Sequence, residues 1–302
     1  MSLSICIPTY NRLPQMKVLI DSISAGFHDY PYEIIVADGG STDGTLEYLR
    51  GLDRVTLIEQ GELTGSVKAY NACFKRARHE YIYWPNDDFV LVPGVLIKAC
   101  NLMDSHKEIG LVAPKMLEPD WGKLPSVGVY LNYLVLSKMH IFRASVLREI
   151  SYLDENFKTY FVDGDSCLNV LNLGYTIAFT REVGVIHERL HDETWSLNQA
   201  LIKTKAHEGE YYEQKWSSLK ARLEEYMSAS PAARFRSRCF QTLCKYMWQK
   251  GRLARPAVEK GWLFAAPLYD RFLEQYAAFQ VKECRHLRDF YLVQKLPEEV
   301  LS

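Results

Sequence analysis

The sequence predicts an α/β fold, a mostly parallel sheet with helices on both faces, followed by a C-terminal helical region. Three observations point there. Short apolar runs alternate with amphipathic segments through the first part of the chain, and that alternation builds strand–helix–strand units with parallel strands. Polar, glycine-bearing stretches fall where those strands end. From about residue 196 the pattern changes to long helical periodicity. The expected division is 1–195 for the α/β part and 196–302 for the helical region.

The elements follow in order. Leu3–Ile7, Glu33–Ala37, Val55–Glu59 and Tyr81–Trp84 have the composition of strands, and Pro14–Ala25, Thr42–Leu49 and Ser66–Ala77 carry helical patterns between them. A second stretch, Pro93 to His191, holds a strand at Gly110–Pro114 and an irregular run rich in Gly and Pro up to Leu131. Helices are expected over Arg143–Ile150 and Asp165–Leu173, the latter stopped by Gly174, because glycine adopts left-handed geometry at little cost. Further on, Phe240, Leu243, Cys244, Met247 and Trp248 follow helical spacing, and Pro256 suits the first turn of another helix.

Bulk properties narrow the classes. The chain has 302 residues, 48% of them hydrophobic, enough for a large core. A net charge of -1 gives no general reason to expect nucleic acid as a partner. The cysteine count is 7, an odd number with no CxxC spacing, which argues against a disulfide framework or a structural zinc site and for a reducing compartment. No basic leader precedes the first strand, and no window approaches the roughly 20 apolar residues that span a bilayer. A cytoplasmic protein, soluble or peripheral at the inner face of the membrane, is the expectation.

In parallel sheets ligands bind beyond the carboxyl ends of the strands, and the loops there are unusual. The first is Pro8-Thr9-Tyr10-Asn11-Arg12; the second runs from Asp38 through Gly39, Gly40, Ser41, Thr42, Asp43 and Gly44 to Thr45. Asp38 can accept hydrogen bonds from a base or a ribose. Equally, Asp38 and Asp43 can do no more than shape a turn and cap a helix, and Ser41 or Thr42 can also cap the helix that follows. An EF-hand fails on Asp43 at its sixth position and Leu49 at its twelfth, and no GxGxxG follows the first strand. The third loop, Asn86-Asp87-Asp88, sets two carboxylates and an amide after an apolar strand; it is either a solvated acidic turn or a site for a hard divalent cation. In the fourth, Asp165 can cap a helix, and Asp163, beside aromatic residues, is a candidate general base. His187, after an apolar run, is a metal ligand or a core histidine.

Taken together these loops resemble the family 2 glycosyltransferases of the GT-A fold, a Rossmann-like nucleotide-diphospho-sugar transferase fold. The strand with Pro8-Thr9-Tyr10-Asn11-Arg12 resembles the family's opening, and Asp38 to Thr45 its second-strand loop, where an aspartate reads the nucleobase. Gly65, Ala69 and Asn71 resemble its next helix, and Asn86-Asp87-Asp88 its DxD metal motif, with Asn86 in the first place. Asp163, Asp165 and Cys167, with Gly174-Tyr175 beyond, resemble the helix bearing the catalytic aspartate, with Val162 where glutamate is common. The resemblance covers about residues 3 to 190. It implies an inverting transfer from a nucleotide-diphosphate sugar to a glycan or lipid-linked acceptor. Pro8, Thr9, Asn11, Arg12, Asp38, Asn71, Asn86 and Asp87 would contact the donor. Asp88 and His187 would bind Mn²⁺ or Mg²⁺, and Asp163 would act as base.

The C-terminal region adds an asymmetry. From residue 230 to 260 there are 8 basic residues against Glu259 alone, a net +7 in a chain of net -1. Phe235, Phe240, Tyr246, Trp248, Trp262 and Phe264 are interleaved or follow closely. Residues 230–264 can lie on an anionic membrane surface, or pack on the catalytic part or across a homodimer with their charges in solvent. Two rival functions stand beside the transferase. A nucleotidyltransferase would need a glycine-rich loop near the N-terminus, which is absent. A catalytically degenerate binding module of the same fold would account for Asn86 and Val162.

Overall fold

The computed structural model describes residues 2–27, 29–118, 124–125, 127–130, 134–188, 207–229, 235 and 290–301. The elements run β1 (Leu3–Thr9), α1 (Leu13–Ser24), β2 (Tyr32–Asp38), α2 (Thr45–Arg50), β3 (Val55–Glu59), α3 (Ser66–Arg76), β4 (Tyr81–Tyr83), β5 (Phe89–Leu91), α4 (Pro93–Ser105) and β6 (Ile109–Glu118). Then come β7 (Leu124–Pro125), β8 (Val127–Tyr130), β9 (Leu134–Ser137), β10 (Ile141–Arg143), α5 (Ala144–Glu149), α6 (Val162–Asn172) and β11 (Thr176–His187). Helices α7 (207–215) and α8 (Ser217–Ala229), strand β12 (Phe290–Gln294) and helix α9 (Glu298–Leu301) complete the described chain.

The main sheet has the order β12-β11-β6-β10-β4-β1-β2-β3, with β5 on β11 and β7 on β6; β8 and β9 form a separate hairpin. Strands β1, β2, β3 and β4 pair in parallel, as do β6 and β11. β10 runs against both of its neighbours.

Strand periodicity sorts the side chains onto two faces. Leu3, Ile5, Ile7, Ile34, Val36, Tyr81 and Tyr83 face a core completed by Met16, Leu19 and Ile23 of α1 and by Leu96, Ala99, Cys100 and Met103 of α4. Their alternates Cys6, Ile35, Ala37, Ile82 and Trp84 face a second core filled from α3, α5 and α6 and by Tyr212, Trp216, Leu219 and Leu223. Both faces of the central strands are thus covered, which is why these strands are almost continuously apolar.

The region 196–302, expected to be helical, also contributes a strand. Helices α7 and α8 are present, but β12 adds an antiparallel edge strand to β11. Its Gln294, fully buried, accepts from Val135 N at 3.1 Å through Oε1 and donates to Val135 O at 3.3 Å through Nε2. That strand holds the hairpin β8–β9 against the sheet. The expected helical positions Phe240 to Trp248, Pro256 and the basic stretch 230–264, apart from the exposed Phe235, lie outside the described residues. No helix among the described residues is long and apolar enough to cross a membrane.

Candidate active site

The parallel pairing of β1 with β2 and β4 brings three loops to one edge of the sheet. Asp38, buried at the end of β2, lies in register with Thr9 at the end of β1. Its Oδ1 accepts from Gly40 N at 2.9 Å and Ser41 N at 2.8 Å, and its Oδ2 from Ser41 Oγ at 2.5 Å. Gly40 has φ +87, and a Cβ there would stand 2.7 Å from Gly61 O, so the turn requires glycine. Asn11 ties the first two loops together: its N donates to Ser41 Oγ at 2.8 Å and its Oδ1 accepts from Thr42 N at 2.7 Å. Arg12 N donates to Thr45 Oγ1. Pro8 is the penultimate residue of β1.

Two capping expectations are corrected here. Neither Ser41 nor Thr42 caps the helix, which begins at Thr45. The N-cap position is Gly44, and Asp43 before it accepts from Thr45 Oγ1 at 2.5 Å and from Thr45 N and Leu13 N, both at 3.0 Å. Burial alone would raise the Asp43 carboxyl; those bonds outweigh it and hold it below the ordinary range. Asp165, likewise, is not the cap of its helix. α6 begins at Val162, and Asp165 lies inside the first turn with its side chain turned into the protein.

The acidic loop lies beyond β4. Thr9 Oγ1 donates to Asp87 Oδ2 at 3.0 Å. The buried Tyr70 hydroxyl of α3 donates to Pro85 O at 3.0 Å, with Asn86 Oδ1 at 3.1 Å and Met139 Sδ at 3.8 Å. Burial, then the charges of Asp87, Asp163 and Asp88, push the Tyr70 phenol well above its usual range. Met139, which this hydroxyl touches, in turn donates its N–H to Asp163, so one buried hydroxyl links the acidic loop to the segment that holds Asp163. Asn71, one residue on, points elsewhere: its Nδ2 donates to Leu153 O and Glu155 Oε1, and its Oδ1 accepts from Leu153 N. Its amide is committed to holding the 153–155 loop.

Asp88 and His187 are 99 residues apart in sequence and meet because β5 pairs antiparallel with the end of β11, Phe89 opposite His187. Glu188 N donates to Asp88 O at 3.0 Å, fixing the two loops. His187 Nε2 lies 3.3 Å from Asp88 Oδ1, with both side chains largely buried. Among the described residues that carboxylate oxygen accepts no hydrogen bond. A buried carboxylate oxygen of that kind beside an imidazole nitrogen suits a divalent cation that takes oxygen and histidine ligands. No group of three or more His, Cys, Asp or Glu gathers for a metal among the described residues, so these two would supply the protein's share.

Asp163 stands in the first turn of α6. Its Oδ1 accepts from Met139 N at 3.3 Å, and burial, against the opposing charge of Lys138 and the Met139 bond, pushes its carboxyl up to about 6. Sequence reasoning missed what supports this turn. Asp165 accepts from Lys215 Nζ at 2.9 Å, Trp216 Nε1 at 2.9 Å and Asn169 Nδ2 at 3.0 Å. It also missed His140, fully buried between Ser137 Oγ at 2.8 Å and Ser166 Oγ at 3.2 Å, and pushed down to about 3 by burial. Nothing in residue spacing marks these contacts, because each joins segments distant in sequence or buried by tertiary packing.

The fold is the GT-A architecture, with the loops described above at the carboxyl edge of the sheet. It is shared with the mannosyltransferase PcManGT from Pyrobaculum calidifontis, solved with GDP-Man and Mn2+ (TM-score 0.55, 17% identity, covering 87% of each chain). It is also shared with S. aureus TarS in complex with UDP-GlcNAc (TM-score 0.53, 21% identity, covering 65% of this chain and 61% of that one). Residues 4–126 match the family model described as Glycosyl transferase family 2, the family that the loop motifs resemble. The uncharacterized glycosyltransferase YwdF of Bacillus subtilis is 35% identical over 106 residues, 35% of this chain and 39% of its own length. The uncharacterized protein y4gI of Sinorhizobium fredii is 26% identical over 175 residues, 52% of this chain and 19% of its own length. The chain thus spans well under half the length of either curated relative.

Proposed function

We propose that the protein is an inverting glycosyltransferase that moves a sugar from a nucleotide-diphosphate sugar to an acceptor hydroxyl. The observation that carries the reading is the meeting of Asp88 with His187 at 3.3 Å, beside the sheet edge where Thr9 bonds Asp87 and lies in register with Asp38. Pro8, Thr9, Asn11, Arg12 and Asp38 form the wall for the nucleotide; Asn86 and Asp87 face the diphosphate and sugar. Asn71 is the exception among the expected donor contacts, since its amide holds the 153–155 loop. The solved relatives with UDP-GlcNAc and GDP-Man support a nucleotide sugar as donor.

Asp88 and His187 are the residues that would hold Mg²⁺ or Mn²⁺, which when bound offsets negative charge on a leaving diphosphate. Asp163 accepts the proton of the acceptor hydroxyl. As the oxygen attacks the anomeric carbon, a new C–O bond forms, and the bond to the diphosphate breaks with its electron pair leaving on the nucleotide. A carboxyl near 6 is mostly ionised at neutral pH yet more basic than an ordinary aspartate, which suits a general base. The acceptor is proposed to be a surface glycan or lipid-linked glycan, met on the cytoplasmic side, with residues 230–264 as the membrane-facing or dimer-forming stretch.

The test is a thermal-shift screen against a nucleotide-sugar panel with Mn²⁺, Mg²⁺ or EDTA, followed by measurement of nucleotide release. A metal-dependent shift with one nucleotide class, and turnover lost in Asp163→Asn while the shift remains, is the expected result. A shift without turnover in the wild type would instead favour the degenerate binding module; no shift at all would remove both.

A further inference from the structure

Helix α7 grips the segment that leads into Asp163 at every level. The buried Glu208 accepts from Thr159 N at 3.2 Å and Tyr160 N at 2.8 Å. Next along, Phe161 takes φ 63, a conformation that a bulky residue adopts only where its surroundings enforce it. Its ring packs on Tyr212 with centroids 5.4 Å apart, and lies so close to Gly209 that a Cβ there would stand 3.2 Å from its Cζ. At the end of the helix Lys215 Nζ bonds Asp165 and, at 2.8 Å, Asp154, while Trp216 Nε1 takes the other Asp165 oxygen. Tyr211 donates to Asp154 at 2.8 Å. Asp163 stands between the two anchored points, Tyr160 and Asp165.

We infer that α7 with Trp216 is a clamp that sets the left-handed Phe161 and the first turn of α6, making Glu208 and Lys215 positioning residues for Asp163. The inference rests on the proposed role of Asp163. Its distinctive content is that the described residues 207–216 of the second region reach the chemistry by shaping its base. Asp165 explains why the clamp is specific. It is only 2% exposed at its side chain, so its charge is tolerated only with Lys215 and Trp216 in place. Removing Lys215 would leave two carboxylates facing each other without their shared cation.

The test uses the full chain with Lys215→Met, Lys215→Arg and Glu208→Ala. The first readout is hydrogen exchange of the amides from 159 to 166, the second nucleotide release from UDP-GlcNAc and GDP-mannose with Mn²⁺. Lys215→Met and Glu208→Ala should each speed exchange there at least about tenfold, with the 8–12 and 38–45 loops unchanged. Release should fall in kcat by more than about tenfold at nearly constant KM, and Lys215→Arg should restore most of both. Unchanged exchange at 159–166, or loosening spread evenly through the chain, would overturn the clamp. A wild type that releases no nucleotide would remove the transfer reading, while the exchange pattern would still decide the clamp. If Lys215→Met fails to fold, Glu208→Ala decides the question alone, since it removes the bonds to Thr159 N and Tyr160 N while Lys215 keeps both Asp154 and Asp165.

Discussion

Replacing Asp163 with asparagine should stabilise the protein at alkaline pH while stopping its chemistry. The folded-state carboxyl is raised from its ordinary 3.8 to about 6, chiefly by burial. For an acid shifted upward, the native state holds more protons than the unfolded chain between those two values. Ionisation at higher pH therefore weakens the fold, and the penalty is complete above the folded pKa and absent below the unfolded one. At 1.36 kcal/mol per pH unit the full penalty is up to about 3 kcal/mol, an upper bound because the side chain retains some exposure to water. Asparagine keeps an oxygen to accept from Met139 N, now 3.3 Å from the carboxylate, and removes the charge. Urea unfolding should thus show Asp163→Asn more stable by up to about 3 kcal/mol near pH 8, shrinking below about 1 kcal/mol near pH 4.5. Equal or lower stability at pH 8, or the same gain at both pH values, would refute the argument that burial strains this carboxylate. Gain of stability on loss of a catalytic group is the usual trade at an active site.

Two further predictions test the supports around it. Asn71→Ala removes three hydrogen bonds to the 153–155 loop and leaves Leu153 groups buried, so chemical denaturation should show a loss of about 2–3 kcal/mol. Asp88→Asn and His187→Ala should each abolish the Mn²⁺-dependent part of any nucleotide-sugar thermal shift and leave the metal-independent part; a metal response equal to wild type in both would remove this pair as the cation site.

Local signals in the sequence mark the strand cores and the loops well, because a buried parallel strand announces itself as an apolar run and the next polar residue is where it ends. Asp38 and Asp88 are placed by that logic. Helix α4 escaped it although Val95, Leu96, Ala99, Cys100, Leu102 and Met103 are its buried face. Pro93-Gly94 has the look of a turn, whereas proline at the first helical position starts a helix. Strands β5 and β12 were beyond reach for a different reason: each is short and defined by pairing with β11, and no local pattern encodes a partner so distant. The meeting of His187 with Asp88 depends on that same pairing, so the family resemblance, and not spacing, proposed it. Asp165 shows the limit most clearly. An acid near a helix start is most simply a cap, and only the folded chain reveals Lys215 and Trp216 waiting for it.

The central claim is that Asp163 is the base of a sugar transfer, and its most direct test is nucleotide release from the responding donor as a function of pH. The account predicts a rate that rises with pH through an inflection near 6 in the wild type, and a loss of about 10²–10⁴-fold in Asp163→Asn with donor binding intact. Release by Asp163→Asn within a few-fold of wild type, or a rate with no inflection in the acid range, would contradict it.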